Sequence, residues 1–474
     1  MSDVAVGMES MVNAIGANNA AAAFRAKILH FTGQPDPITG AGIEYFDDGV
    51  LVVEQGRVKA LGDAQQMAAA GFDLQSCQHF PDQLIMPGFI DSHIHYPQTS
   101  VIASYGEQLL DWLNNYTFPS EARFANAEFA ALAAHEFLKI LLQNGTTTAM
   151  VYTTVFAQST EAFFAAAAQM NLRMISGKVM MDRNAPDYLL DTPASSEQDC
   201  RALIERWHQQ GRQLYALTPR FAPTSTPEQL AVTGKLYAQY PGLYLQTHLS
   251  ENLQEMAWIK ELYPRARDYL DVYDQFGLLG PRSVFGHGIH LSDLEVERLA
   301  QTGSGIAFCP TSNLFLGSGL LDMARLESAG VPVSLATDVG GGTSFSQLRT
   351  LAEAYKVLQL QGQNLHPLKG FYMATLGNAR ALQLDNYLGN FAPGKEADFV
   401  VINLGATPLQ ALRQSSVQQL SFQNRAQDSV KSLAEKLFAL MTLGDEHNIA
   451  HTYVMGKKIF SRAPATEGAL SWAI

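Results

Sequence analysis

Short apolar runs, many ending in a polar residue, alternate through the middle of the chain with stretches whose apolar positions recur every three or four residues. The runs at 84–93, 146–153, 173–181, 214–221, 243–248, 283–287, 305–309 and 331–338 predict strands. The stretches between them predict helices. At 125–143, ANAEFAALAAHEFLKILLQ, the apolar residues fall on one face of a 3.6-residue period. Further helices are expected at 159–170, 197–210, 227–240, 293–301, 322–329, 346–361 and 367–381. Strands and helices in this alternation have the count of a (β/α)8 barrel, whose chemistry gathers at the carboxyl ends of the strands. A doubly wound open sheet is the competing arrangement. The barrel is favoured because polar candidates recur at strand ends all round the series.

The two ends of the chain read differently. Residues 23–31 alternate as a strand, 45–61 as a hairpin turning at Gln55-Gly56, 63–70 as a short helix and 78–86 as a strand. Near the C-terminus Pro393-Gly394 marks a turn before a strand at 398–404, then come a helix at 432–441 and a hairpin at 449–460. The N-terminal group is too short of apolar strands to close by itself, so the two ends are expected to form one composite β domain. The expected division is a loose leader over 1–22, a composite β domain of 23–86 with 386–474, and a barrel over 87–385.

Composition narrows the function classes. The chain has 474 residues, 47% of them hydrophobic, so a large core is available. A formal charge of -13 argues against a non-specific grip on nucleic acid or an anionic membrane, but leaves room for a small, nearly neutral ligand. No apolar run reaches the length of a membrane span. Cys77, Cys200 and Cys309 are far apart with no CxxC, which fits free thiols in a reducing compartment, and the cytoplasm is the expectation.

The candidate chemistry sits at the strand ends. His93 and His95, two apart at the end of the first apolar run, point to one face of a strand. Two imidazoles so placed can share one Zn, Fe, Cu or Ni ion. His248 ends the fifth strand with Glu251 three residues on; His287 ends the sixth and is favoured over His290, which lies beyond it. Asp338 closes the eighth, where an unpaired carboxylate would be costly to bury and a metal or cationic partner is the natural remedy. Zinc takes such N and O ligands and turns water into a nucleophile. Glu446, His447 and His451 have an HxxxH spacing but not the HExxH order, and are assigned no metal. His30, His79, His135, His208 and His366 have no sequence partner and are assigned no role.

PGFIDSHIH, THLSE, the strand-six His, ATD with its following glycines and PGKEADFVV together resemble the amidohydrolase superfamily over about residues 24–461. Within it, HIHYPQ at 93–98, the stretch at 111–119 and TPRF at 218–221 resemble the guanine deaminase branch. The resemblance implies that Gln98, Arg220 and Phe221 hold a purine, with His248, Glu251 and Asp338 beside it. The residue types agree: an amide and a guanidinium match ring oxygens and nitrogens, and a phenyl ring can stack on them. The stretch at 112–119 suits a lid, with an ordinary loop as the plainer reading. The resemblance further implies one Zn2+, with Fe2+ as the alternative, on His93, His95, His248 and Asp338. Glu251, His287 and Asp338 are then the catalytic residues: Asp338 takes a proton from water, Glu251 carries one to a ring nitrogen and on to the leaving ammonia, and His287 orients the nucleophile. A second metal would need a strand-four lysine; 214–221 has none, and Lys178 is the one nearby doubt. The implied reaction is guanine to xanthine and ammonia, by a homodimer. Deamination of another purine, a pterin or a triazine, hydrolysis of a cyclic amide, and a non-catalytic relative that assembles filaments are the competing readings. Zinc deaminases with PCxxC are excluded by the missing cysteine pair.

Overall fold

A computed structural model describes residues 21–105, 109–423 and 429–463. Its centre is a ring of eight parallel strands that neighbour one another in chain order: Phe89–His95, Thr146–Tyr152, Arg173–Gly177, Gln213–Pro219, Tyr244–Leu249, Ser283–His287, Gly305–Phe308 and Val333–Leu335. They are strands one to eight below. Strands one and two are buried along their whole length, because helices cover the ring from outside while side chains fill it from inside. The helix Ala127–Gln143 shows the covering rule. Asn126 caps its first turn by accepting from the Phe129 N–H, and Ala130, Ala134, Phe137, Leu138 and Leu141 turn inward.

Strands one and eight close the ring without a regular ladder. Strand one instead bonds the segment just past strand eight. The Asp338 N–H donates to the His93 carbonyl at 2.9 Å and the His95 N–H to the Val339 carbonyl at 2.7 Å. Asp91, fully buried, accepts from the Thr337 N–H at 3.1 Å, and Asn378 donates through Nδ2 to the carbonyls of Ile90 (2.7 Å) and Leu335 (2.8 Å). Side chains thus replace the missing rungs and fix Asp338 against the two histidines.

The run at 84–93, expected as one strand, is two. Gln78–Pro87 belongs to a second sheet and Phe89–His95 to the barrel. The chain changes sheets at Gly88, whose N–H donates to the Asp398 carbonyl at 3.0 Å, and where a Cβ would lie 2.1 Å from Thr147 Oγ1. Only glycine fits there. The expected third strand likewise breaks at Lys178, and Val179–Met180 pairs separately with strand four.

The second sheet has seven strands and interleaves both chain ends. In spatial order they are Lys457–Ser461, Ile449–Val454, Phe399–Ile402, Gln78–Pro87, Ala22–Phe31, Ile43–Glu54 and Arg57–Asp63. Phe399–Ile402 runs antiparallel to Gln78–Pro87, so the C-terminal segment supplies a neighbour to the strand that leads into the barrel. Of the expected leader, residues 1–20 lie outside the described residues, and Ala22 already opens a strand. The helix Pro408–Gln423 was not expected, since its LQALRQSSVQQL core carries only a weak apolar stripe. Among the described residues no helix is long and apolar enough to cross a membrane, and all three cysteines are free thiols.

Candidate active site

The carboxyl ends of strands one, five, six and eight bring their polar residues to one mouth. His93 Nε2 and His95 Nε2 lie 3.2 Å apart. Asp338 Oδ1 lies 3.2 Å from His95 Nε2 and 3.4 Å from His93 Nε2. With His248 they form a set of donor atoms all within 4.8 Å of one another. Ligands at about 2.1 Å from one zinc, at tetrahedral angles, are separated by about 3.4 Å. The spacing therefore fits a single ion. Gly286 makes part of it possible, because a Cβ there would lie 2.7 Å from His93 Cε1.

The surroundings prepare these atoms. His248 Nδ1–H donates to the Arg220 carbonyl at 2.6 Å, which leaves Nε2 as the lone-pair nitrogen for the mouth. Burial drives the His95 pKa down to about 3 and takes His248 well below its ordinary value, with neighbouring imidazoles adding to the effect. Both rings are neutral at pH 7, the form that binds metal. Burial opposes the charge on Asp338, but hydrogen bonds with His93 and His95 outweigh it and hold the carboxyl well below the usual range. Neutral lone pairs facing a carboxylate is a donor set that calls for a cation.

A second group flanks the first. His287 Nδ1–H donates to Asn313 Oδ1 at 2.8 Å, so its Nε2 faces Glu251 Oε2 at 3.3 Å and Asp338 Oδ2 at 3.8 Å. Glu251 is 3% exposed. Burial, then the Asp338 charge, pushes its carboxyl up to about 8, with the Ser318 hydroxyl at 3.1 Å pulling the other way. At neutral pH it carries a proton it can give away. Glu251 precedes the helix Leu253–Leu262, whose N-cap Asn252 pairs with Glu255 in a capping box. Glu255 accepts from the backbone N–H groups of Glu251 (3.1 Å) and Asn252 (3.2 Å), which fixes the turn that presents Glu251.

The pocket above these groups is lined by Gln98, Arg220, Phe221 and Gly341, and roofed by Leu109, Trp112 and Leu113. Gln98 Oε1 accepts from the Gly340 N–H at 3.0 Å, which fixes which end of the amide is spent on the protein. Arg220 donates through Nη1 to both Glu121 oxygens, at 2.7 and 2.9 Å. The stretch expected as a lid or loop is helical from Leu109 through Ala122.

Other candidates lie elsewhere. His290 Nε2 is spent on the Ser318 carbonyl at 2.9 Å. Lys178 is buried in an ion pair with Asp191 and is not in the four-residue cluster. His447 pairs with its own cap, Asp445, and His451 with Ser461. Cys309 gathers with His287 and Asp338, but burial and the Asp338 charge hold its thiol well above its ordinary pKa, so it is a poor ligand. Sequence reasoning did not single out Glu121, Glu255 or Asn313. Only Glu255 had a local signal, the Asn-x-x-Glu capping box; the other two reach the site through the fold.

The model of the family described as "Amidohydrolase family" matches residues 84–459. The chain belongs to the amidohydrolase family. This amidohydrolase is 51% identical over 428 residues to the guanine deaminase of Escherichia coli K12, spanning 90% of this chain and 94% of that one. The solved E. coli guanine deaminase superposes with a TM-score of 0.87 at 49% identity, covering 93% of this chain and 100% of that one. Guanine deaminase from C. acetobutylicum, solved with guanine in its active site, gives a TM-score of 0.81 at 29% identity, over 93% of this chain and 100% of that one. The family is metal-dependent, and the His93–His95–His248–Asp338 cluster is its candidate site here.

Proposed function

We propose that this amidohydrolase hydrolyses guanine to xanthine and ammonia. The observation that carries the reading is one pocket in which Gln98, Arg220 and Phe221 stand beside the three-histidine, one-aspartate cluster and a protonated Glu251. The high identity to guanine deaminases along nearly the whole chain supports it.

Arg220 offers donors to the ring oxygen, the Gln98 amide offers a donor beyond its bond to Gly340, and Phe221 gives an apolar face for the flat ring. His93, His95, His248 and Asp338 would hold a cation, zinc in this reading with iron as the alternative, which would act as a Lewis acid and bring the pKa of water to about 7. Asp338 Oδ2 accepts the proton that water loses. Glu251 donates its proton to the unprotonated ring nitrogen next to C2, which makes that carbon electrophilic. His287 Nε2, fixed by the Asn313 bond on the other nitrogen, orients the attacking oxygen. A C2–O bond forms, and the proton of the new hydroxyl passes through Glu251 to the amino nitrogen as the C2–N bond breaks and ammonia leaves; the proton held by Asp338 then restores Glu251.

The test is ammonia release and the change in ultraviolet absorbance on adding guanine, adenine, a pterin and a triazine to purified protein. Turnover of guanine above the others is expected; turnover of another ring with none of guanine overturns the reading. The finer parts are checked separately. Elemental analysis is expected to give one zinc per chain, sedimentation a homodimer, and fractionation of cells a cytoplasmic protein.

A further inference from the structure

Arg220 is held at three points that belong to three parts of the molecule. Its backbone carbonyl accepts from His248 Nδ1, on the metal cluster. Its backbone N–H donates to the Met180 carbonyl at 3.2 Å. Its guanidinium meets Glu121, 99 residues away in sequence, on the helix Phe118–Ala122. Phe118, from the same helix, lies under the guanidinium at 5.5 Å from the ring centroid. Both members of the ion pair are buried: Arg220 is 3% and Glu121 0% exposed. Among the described residues the guanidinium's hydrogen bonds all run through Nη1. Its other edge is left for the pocket that Arg220 lines. The same helical stretch supplies the roof residues Leu109, Trp112 and Leu113.

Two consequences follow from this arrangement. A lone buried guanidinium would attract anionic rings more strongly than oxo groups on neutral ones. Paired with Glu121, it offers directed donors with no net charge, so the pocket favours a neutral oxo-purine over an anion. Xanthine, with a second carbonyl in place of the amino group, is a stronger acid than guanine and is partly anionic in mildly alkaline solution. We propose that Glu121 is a positioning and specificity residue, which orients Arg220 and, by cancelling its charge, keeps the site from retaining an anionic product. Through Phe118 and Glu121 it also ties the roof to the substrate-binding arginine. This rests on the guanine reading and deepens it.

The experiment compares competitive inhibition by xanthine and by neutral hypoxanthine during guanine turnover at mildly alkaline pH, in wild type, Glu121→Gln and Glu121→Asp. In Glu121→Gln the ratio of hypoxanthine to xanthine inhibition constants is expected to rise roughly tenfold, the effect of one uncompensated charge a few ångströms away. KM for guanine is expected to rise more than kcat falls. Glu121→Asp keeps the charge but not the reach. It is expected to hold the wild-type ratio while raising KM. If the Gln variant does not fold, wild type carries the test: its hypoxanthine-to-xanthine ratio is expected to fall as pH rises through the ionisation of xanthine, and a ratio that stays level or rises overturns the proposal. An unchanged ratio in Glu121→Gln, or a ratio altered equally by Asp, overturns the proposal, since a purely structural glutamate would weaken both inhibitors together. Absence of guanine turnover in wild type would instead remove the functional reading beneath it.

Discussion

Two buried clusters of charge sit at opposite ends of the barrel, and they are built on opposite principles. At the amino ends of strands three and four, Arg173 and Arg212 meet Glu396 and Asp398, which flank and lead into the strand Phe399–Ile402 of the second sheet. Two cations face two anions, and nearly every donor is used. Arg173 bonds both oxygens of Glu396, while Arg212 bonds Glu396, Asp398 and the Asn171 carbonyl. Burial alone would raise the Glu396 pKa, but Arg173 and Arg212 bring it below the ordinary value. At the carboxyl ends, neutral imidazoles face a carboxylate, and a second carboxyl, its pKa raised to about 8, is protonated at neutral pH. The lower cluster is internally complete and fastens one sheet to the other. The upper cluster is complete only with a cation and a substrate. Burial at both ends is similar; what separates structure from function is whether the charges balance within the protein.

The comparison breaks most sharply at the upper cluster's ligands. His248→Ala is expected to lose most bound metal and roughly a thousandfold or more of activity, since one of four donors goes. Elemental analysis beside guanine turnover reads both quantities, and full metal occupancy in the variant would take His248 out of the ligand set. Glu251→Gln removes the proton carrier without touching a ligand. Its kcat is expected to fall by about a hundredfold to ten-thousandfold with metal content unchanged; turnover at the wild-type rate would mean that the proton travels by another route.

At the lower cluster the same kind of deletion is expected to act on stability instead. Glu396→Ala leaves the buried Arg173 without a carboxylate and Arg212 with Asp398 and the Asn171 carbonyl alone, and is expected to cost about 3–5 kcal/mol of unfolding free energy. Chemical denaturation measures that loss. The kcat/KM of the fraction that remains folded, normalised to metal content, is expected to stay within a few-fold of wild type. A selective loss of kcat in folded, metal-loaded protein would show that the two clusters are coupled, and the contrast between them would fail.

How far the sequence reached can be judged on the same two clusters. The upper one was legible because its residues close apolar strands: His93, His95, His248, His287 and Asp338 all stand where hydrophobic periodicity stops. The barrel was legible for the same reason, as a repeated change of period. The lower cluster was not, because Glu396 and Asp398, in PGKEADFVV, find their partners 184 to 223 residues away, at Arg173 and Arg212. Glu121 and Asn313 were missed on the same ground, since nothing within a turn of either points to Arg220 or His287. The division at Gly88 was invisible because the apolar run continues through it; the glycine's meaning is the nearness of Thr147, which only the packed sheets supply.

The smallest expected effect is the finest test of how the upper cluster holds its proton. Ser318 Oγ–H donates to Glu251 Oε1 at 3.1 Å and favours the ionised form, against burial and the Asp338 charge that together take the carboxyl to about 8. Glu251 must be protonated to act, so kcat/KM in wild type is expected to fall as pH rises through that limb. Ser318→Ala removes the hydroxyl's hydrogen bond to the carboxylate, worth about 1 kcal/mol, and the limb is expected to move up by roughly half to one pH unit. A cation held by the cluster would lower the limb in both proteins alike, so the difference between them is the quantity to read. Stability follows the same sign. The folded carboxyl sits above its unfolded value of 4.5, so its contribution is present in full below that pH and is lost as pH rises through about 8. In Ser318→Ala that loss shifts to higher pH along with the rate. A limb that moved down, or stayed while stability shifted, would assign the alkaline fall to some group other than Glu251.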